Sequence, residues 1–455
     1  MPFHAGVEAT CMGNVRGFAV AASSFVLVPA CGGGATPPLH APVQLSVGPL
    51  SRTSRLAPVP HFRVLYRFQG IPDGAVANGG LIAINGMLYG TTLAGSKNFC
   101  EQSCFGNGNL CWEGCGVVFS VDTSGNENIV YNFRGDLNGA TDGSWPFAGL
   151  TPYKNRLYGT TSSGGRFGHG TVYEMDASGH ESVIHSFKGD TDSTTDGAYP
   201  VAPVIVIKNR LYGTTAKGGT VACGGTGCGT IYSLTMSGKK RWLYRFGGAK
   251  QSDGAVAYPG LVALGGNLYG TTYEGGRRGG KCGTSGCGTI YEVTLDGQER
   301  VVHRFSGGPQ GSVPNGVVAV NGVLYGTTLT EGAHNEGTFF SFTPGRRLKT
   351  LYSFKGKPDA ASPSGPLIYS GGLFYGVSQS GGTGGGASRF GLGTIFEVSP
   401  SGSESVLHSF GGKNQASLPQ APLYLFNGAL YGTTAYGGGN GCHKNGCATV
   451  FSLTL

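Results

Sequence analysis

Five residues, Leu88-Tyr89-Gly90-Thr91-Thr92, recur almost unchanged along the chain and limit its fold more than any other feature. The same five begin at Leu157, Leu211, Leu268, Leu324 and Leu430, and a worn copy, Phe374-Tyr375-Gly376-Val377-Ser378, fills the remaining place. The seven tyrosines stand 69, 54, 57, 56, 50 and 56 residues apart. A period of this size marks a propeller or solenoid, in which each unit buries its apolar face against its neighbours. A length of 455 residues would otherwise suggest two or three domains, and the repeat overrides that prior.

Each unit holds four short apolar runs. In the second they are Leu150–Tyr153, Leu157–Thr161, Gly170–Met175 and Glu181–Phe187. Asn85-Gly86, Lys154-Asn155, Asn321-Gly322 and their equivalents separate the first two runs, and Ser124-Gly125, Ser178-Gly179 and Ser237-Gly238 separate the last two. Such dipeptides suit the positive φ of tight hairpins. Helical periodicity is absent. The unit is therefore a four-stranded antiparallel meander, the blade of a β-propeller. With 85 Gly and only 12% charged residues, the composition fits many tight turns, and 39% hydrophobic residues is too apolar for a disordered chain.

The ends of the repeat region predict closure. It begins with a lone fourth-type run, Arg63–Phe68, and ends just after a third-type run, Ala448–Leu453. Pairing the two would remove both free edges and complete a seven-bladed ring spanning 62–455. With the fourth run outermost, the tight hairpins share one face. The opposite face collects the connections from run two to three and from run four to the next blade. Loops crowded round a channel mouth are where propeller function is expected.

Phe18–Val28 is an apolar run of signal-peptide length, too short to span a bilayer. Val28-Pro29-Ala30-Cys31 follows it and resembles the lipobox of bacterial lipoproteins, in which Cys31 would be acylated. Residues 1–31 thus read as a signal peptide with a lipobox, plain secretion being the alternative. The start is Met1 or Met12. Residues 32–61, rich in Gly and Pro, read as a tether. Membrane attachment is expected only through the lipid anchor. The formal charge is +8, but the basic residues are scattered, so nucleic acid is not an expected partner.

Of twelve cysteines, Cys11 and Cys31 belong to the leader. Cys223-x4-Cys228, Cys282-x4-Cys287 and Cys442-x4-Cys447 each lie between runs two and three, as do Cys100, Cys104, Cys111 and Cys115. An even count in one class of loop, in an exported chain, predicts disulfides. The expected pairs are 223–228, 282–287 and 442–447, with nested Cys100–Cys115 and Cys104–Cys111 favoured over sequential pairing. A zinc site made by the four is the rival, but the single pairs elsewhere cannot close a tetrahedron.

Asp73, Asp142, Asp196 and Asp253, each followed by Gly, recur in the link from run four to the next blade, and Asp359 resembles a fifth copy. They suit Ca²⁺ binding or acid–base work, or simply the capping of a turn through its own amides. Recurrence in equivalent turns favours capping, so no catalytic residue, metal or cofactor is assigned, calcium being the weak exception. Trp145, Tyr199 and Tyr258, with Arg166, Arg277 and the nearby His169, Lys217, Arg278 and Lys281, form a candidate carbohydrate site together with the aspartates. A column of Tyr66, Tyr131, Tyr244 and Tyr352 alternating with His185, His303 and His408 predicts a hydrogen bond between blades. No serine-nucleophile, phosphate-loop or HExxH pattern occurs.

LYGTT, a following Gly-Gly, a GT-[VI]-[YF] run and a Ser-Gly hairpin together resemble the GloVer (Gloeobacter/Verrucomicrobia-type) tandem repeat of choice-of-anchor bacterial exported proteins. The resemblance covers 62–455 and implies export and binding surfaces, not a reaction. The expectation is an exported, lipid-anchored, monomeric propeller at the outer membrane, the cell surface or in the periplasm. It would bind a glycan or an envelope protein. The alternative is a polysaccharide lyase or hydrolase acting on the long-loop face.

Overall fold

The computed structural model describes residues 60–100, 103–105, 110–135, 141–189, 196–220, 222–385, 390–411, 416–439, 442 and 446–455. The signal segment, Cys11, Cys31 and the tether lie outside the described residues. Seven antiparallel sheets follow one another along the chain, making a seven-bladed β-propeller. Blade I pairs Ile82–Ile84, Met87–Thr92, Val117–Val121 and Glu127–Asn132 in sequence order, from the innermost strand outward. Blade II repeats this with Thr151–Tyr153, Arg156–Thr161, Thr171–Met175 and Glu181–Ser186.

In blade VII, Ser417–Pro419 and Tyr424–Phe426 both pair with Ala429–Tyr436, which pairs with Thr449–Thr454. The outermost strand of that blade is His61–Arg67, from the other end of the repeat region, antiparallel from His61↔Thr454 to Arg67↔Thr449. The predicted closure is present. Both free edges disappear in one pairing.

The motif has a physical reason at each position. Gly159 lies across from Tyr173, and a Cβ there would stand 2.3 Å from its phenol, so only glycine lets the third-strand ring lie flat on the second strand. That ring meets a phenylalanine of the preceding blade edge to face: Phe133 with Tyr173, Phe187 with Tyr232, Phe246 with Tyr291. Phe68 with Phe119 carries the same contact across the closure. Edge-to-face pairs add about 0.5–1.5 kcal/mol each beyond their buried area.

The threonines sort into two roles. The first hydroxyl crosses to the next blade: Thr91 to Ala148 O, Thr160 to Ala202 O, Thr214 to Ala257 O, Thr271 to Pro314 O, and Thr433 back to Ala77 O. The second meets the third strand of its own blade, as in Thr161 with Thr171 and Thr215 with Thr230, both at 2.8 Å. The motif ties blade to blade and strand to strand.

A bulge interrupts the pairing of third and fourth strands in every blade. In blade I it leaves Val130 unpaired between Ile129 and Tyr131, and the Val130 carbonyl faces the 3–4 hairpin of blade II. A Cβ on Gly179 would sit 2.3 Å from that oxygen, which, with a φ of 85°, explains the Ser-Gly dipeptide. The bulge re-aims the residue that follows it, Tyr131, toward the junction between blades.

Candidate functional site

At that junction the Tyr/His column meets the Asp-Gly turns. Tyr66 donates to Asp73 Oδ1 at 2.7 Å, Tyr131 to Asp142 Oδ2 at 2.7 Å, Tyr244 to Asp253 Oδ2 at 2.9 Å, and Tyr352 to Asp359 Oδ2 at 2.8 Å. Each carboxylate also accepts a backbone N–H of its own link, from Gln69, Arg134, Gly247 or Lys355. Asp359 is thus a true fifth copy, and the turn-capping role is what these bonds describe. Asp142, Asp196 and Asp253 are only 3%, 8% and 8% exposed.

The next blade adds a third group that the sequence reading did not single out. Glu127, Glu181, Glu299 and Glu404 open their outer strands against Asp73, Asp142, Asp253 and Asp359. Burial, then the neighbouring aspartate, pushes Glu127 up to about 7, and Glu181 and Glu299 up to about 8. Glu404 rises for the same reasons. Glu181 Oε2 lies 3.3 Å from the Tyr131 hydroxyl. An aspartate, a phenol and a glutamate that holds its proton more tightly than usual therefore share each of these four junctions. The signal was present in the sequence: Glu stands two residues after the hairpin Gly in each blade that follows a link Asp and a column Tyr of the preceding blade.

The junction with histidine is different. His185 Nε2 lies 3.6 Å from Asp196 Oδ2, and Lys240 replaces the glutamate, reaching Asp196 Oδ1 at 2.6 Å. Lys240 Nζ also sits 3.7 Å above the Trp242 ring and 4.3 Å above Phe187. Burial lowers it to about 8. Burial alone would raise Asp196, but His185 and Lys240 outweigh it and hold the carboxyl below its usual range. His303 and His408, whose links carry Gln310 and Gln415 in place of Asp, are pushed down to about 4 by burial. Among the described residues no group of three or more His, Cys, Asp or Glu side chains could hold a metal ion.

The aromatics lie inward of these junctions. Three residues after the link Asp, or at the equivalent place, the backbone is left-handed in every blade: Val76, Trp145, Tyr199, Val256, Val313, Ser362 and Leu418 have φ between 49° and 62°. For β-branched or bulky residues this costs on the order of 1–3 kcal/mol each, so the surroundings must enforce it. They do so with backbone bonds. Trp145 N–H donates to Cys115 O at 2.9 Å, and the Trp145 carbonyl accepts from Ser162 N–H at 3.0 Å. Tyr199 is held by His169 O and Ala216 N–H, and Val256 by Cys228 O and Tyr273 N–H.

The carbonyls of Cys115, Cys228 and Cys287 belong to disulfides. Cys100–Cys115, Cys223–Cys228, Cys282–Cys287 and Cys442–Cys447 are all formed as expected. Cys104 and Cys111 face each other in the register of the ribbon Ser103–Phe105 with Leu110–Trp112, but their side chains lie outside the described residues. The staples thus fix the oxygens on which the left-handed residues hang.

Trp145 and Tyr258 come together on one apolar cluster that runs through blades VII, I, II, III and IV. Val76, Leu93, Phe147, Val201 and Ala216 are among its buried members, and Val256, Leu418 and Tyr436 are among those that pack against it. These residues stand where links enter the innermost strands and where second strands end, which is the loop-side mouth of the channel. Tyr258 also meets Tyr273, ring centroids 5.0 Å apart. Tyr199, at the place of Trp145 in the next link, is exposed with Lys217 above its ring at 4.7 Å, and Arg166 lies over Phe167 at 5.4 Å. Arg277 is exposed on the blade IV loop and joins neither group. The four aspartates do not converge: each belongs to a different junction.

The Gloeobacter/Verrucomicrobia repeat matches residues 54–224 and 278–455. The chain belongs to this family. No curated protein matches it by sequence. Among solved structures it is similar to a gluconolactonase from Xanthomonas campestris, at 10% identity over 87% of this chain and 90% of that one, with a TM-score of 0.41. A putative 6-phosphogluconolactonase from Bacteroides uniformis is 14% identical over 73% and 87%, with a TM-score of 0.43. Likeness at this level assigns no reaction. Disulfides in four blades suggest an oxidising, extracytoplasmic setting, with which the repeat family is consistent. No helix among the described residues is long and apolar enough to cross a membrane.

Proposed function

We propose that this repeat protein is an exported binding module of the bacterial envelope that holds a polysaccharide on its loop face. The observation that carries the reading is the division of labour between carboxylates and aromatics. Each link aspartate already accepts a tyrosine hydroxyl or faces a histidine, and is tied to its own turn, at a separate junction. Groups engaged in this way suit the joining of blades better than acid–base chemistry on a bound substrate. Trp145 and Tyr258, by contrast, pack on the mouth cluster, Trp145 on strained backbone hung from the carbonyl of disulfide-bonded Cys115. Rigid rings at a channel mouth are suited to the apolar faces of sugars.

The leader at residues 1–31, with acylation of Cys31 and the tether at 32–61, would place the propeller at the outer membrane or cell surface as a monomer. Plain secretion would serve the same binding role. The test is incubation of the oxidised full chain with neutral and acidic polysaccharides, read by size exclusion. Intact polymer co-eluting with the protein, and released by Trp145→Ala, is the expected result. Shortened polymer would overturn the reading in favour of a lyase or hydrolase.

A further inference from the structure

Two of the few large hydrophobic side chains left exposed among the described residues belong to neighbouring loop-face segments where blade II meets blade III. Phe167 is 40% exposed and Tyr199 37%. Continuity between them is built into the backbone, since Tyr199 N–H donates to the carbonyl of His169, two residues beyond Phe167. Both rings carry cations. Arg166 and Lys188 stand 5.4 and 5.5 Å from the Phe167 centroid, and Lys217 stands 4.7 Å from that of Tyr199.

Arg166 and Lys188 are exposed and Lys217 half-buried. Asp196, whose carboxylate accepts the Lys188 N–H, is buried and engaged by Lys240 and His185. The link at 190–195, with Asp190 and Asp192, lies outside the described residues. Exposed aromatic faces with cations alongside complement one class of ligand well. A sugar ring lies on the aromatic face while its carboxylate or sulfate pairs with the cation, and a polymer repeats both features along its length. A neutral glycan would meet the rings but not the charges beside them, and nucleic acid would call for a broader basic stripe.

We infer that the surface formed by Arg166, Phe167, Lys188, Tyr199 and Lys217 binds an anionic polysaccharide. The inference rests on the binding reading above and narrows it to a ligand class and a second contact beside the mouth. Substitutions at Arg166, Phe167 and Lys217 leave Trp145 and Tyr258 in place, so the two surfaces can be tested separately.

The probes are polygalacturonate and, as the neutral control, dextran. Each is titrated with the oxidised full chain at 50 and 300 mM salt, using wild type, Arg166→Gln/Lys217→Gln, Phe167→Ala and Trp145→Ala. The expected result is salt-sensitive binding of polygalacturonate, weakened about tenfold (about 1.4 kcal/mol) by the double charge variant. Phe167→Ala should weaken it as well, with thermal melting unchanged in both variants. Polygalacturonate binding that ignores these substitutions overturns the inference. Dextran bound as well as polygalacturonate and released only by Trp145→Ala overturns it too, while leaving the binding reading intact. Failure of both polymers to bind counts against both.

Discussion

Tyr131 on the outer strand of blade I donates its hydroxyl to Asp142 Oδ2 at 2.7 Å, and Asp142 belongs to the link that starts blade II. The bond therefore joins two blades through one acidic turn, and three further blade junctions repeat it with Tyr66, Tyr244 and Tyr352. Tyr131→Phe removes the donor and leaves a buried carboxylate short of one partner. A loss of about 1.5–3 kcal/mol is expected, as for hydrogen bonds to charged groups, seen as a lower denaturant midpoint with an unchanged m-value.

The junction glutamates give stability a pH dependence. Glu181 and Glu299 keep their protons up to about 8 in the fold, against an ordinary value of 4.5. The folded state then binds more protons than the unfolded chain, so the contribution is complete below about 4.5 and is lost as pH rises through 8. His303 and His408, lowered to about 4, act in the opposite sense, but only below about 6.5. Melting temperature should therefore fall between pH 6.5 and 8.5. Glu181→Gln, which cannot ionise, should flatten that fall; an equal slope in wild type and variant would contradict the assignment.

Much of this fold was legible in the chain. Period, hairpin dipeptides and the spare strand at 61–67 are local features, and each fixed a blade or its closure. Partners contributed by another blade were harder to see. The tyrosine–aspartate bond spans 11 residues within one link, but Glu181 lies 50 residues from Tyr131. Covariation inside this one sequence would have exposed it, because the blades that lack Asp in the link carry His303 or His408 in the column. The left-handed backbone at Val76 and Val256 left no trace, since valine is among the last residues a sequence argument would place there. That Tyr199 is exposed beside Lys217 while Trp145 packs on the mouth cluster was likewise beyond reach, because the two link positions read alike in the sequence.

The third-strand ring offers a substitution that should help. Tyr173, Tyr232 and Tyr291 are fully buried and their hydroxyls have no hydrogen-bond partner, whereas Phe119, Phe340, Phe396 and Phe451 hold the same place in the other blades. Removing an unsatisfied buried hydroxyl recovers its desolvation cost, on the order of 1–3 kcal/mol. Tyr232→Phe should raise the melting temperature, and a clear drop would mean that the hydroxyl is satisfied.

The short disulfides should matter to the mouth more than their loop size suggests. Cys282 and Cys287 are separated by 5 residues, and chain-entropy arguments give a loop of that size about 2 kcal/mol. Cys287 O also accepts the N–H of strained Val313. A Cys282→Ala/Cys287→Ala variant should lose about that stability and show faster amide exchange at Val313 than at Val317 in the same blade. Uniform exchange across the blade would deny the local role.

The account turns on link carboxylates that join blades and aromatics that meet ligand, so Asp142→Ala examined for both properties is its most direct test. It should lower stability by at least about 2 kcal/mol, because Tyr131 and the Arg134 amide lose their acceptor, while polysaccharide retention below the melting temperature stays at the wild-type level. Unchanged stability with retention or turnover abolished would place Asp142 in a functional site and contradict the account.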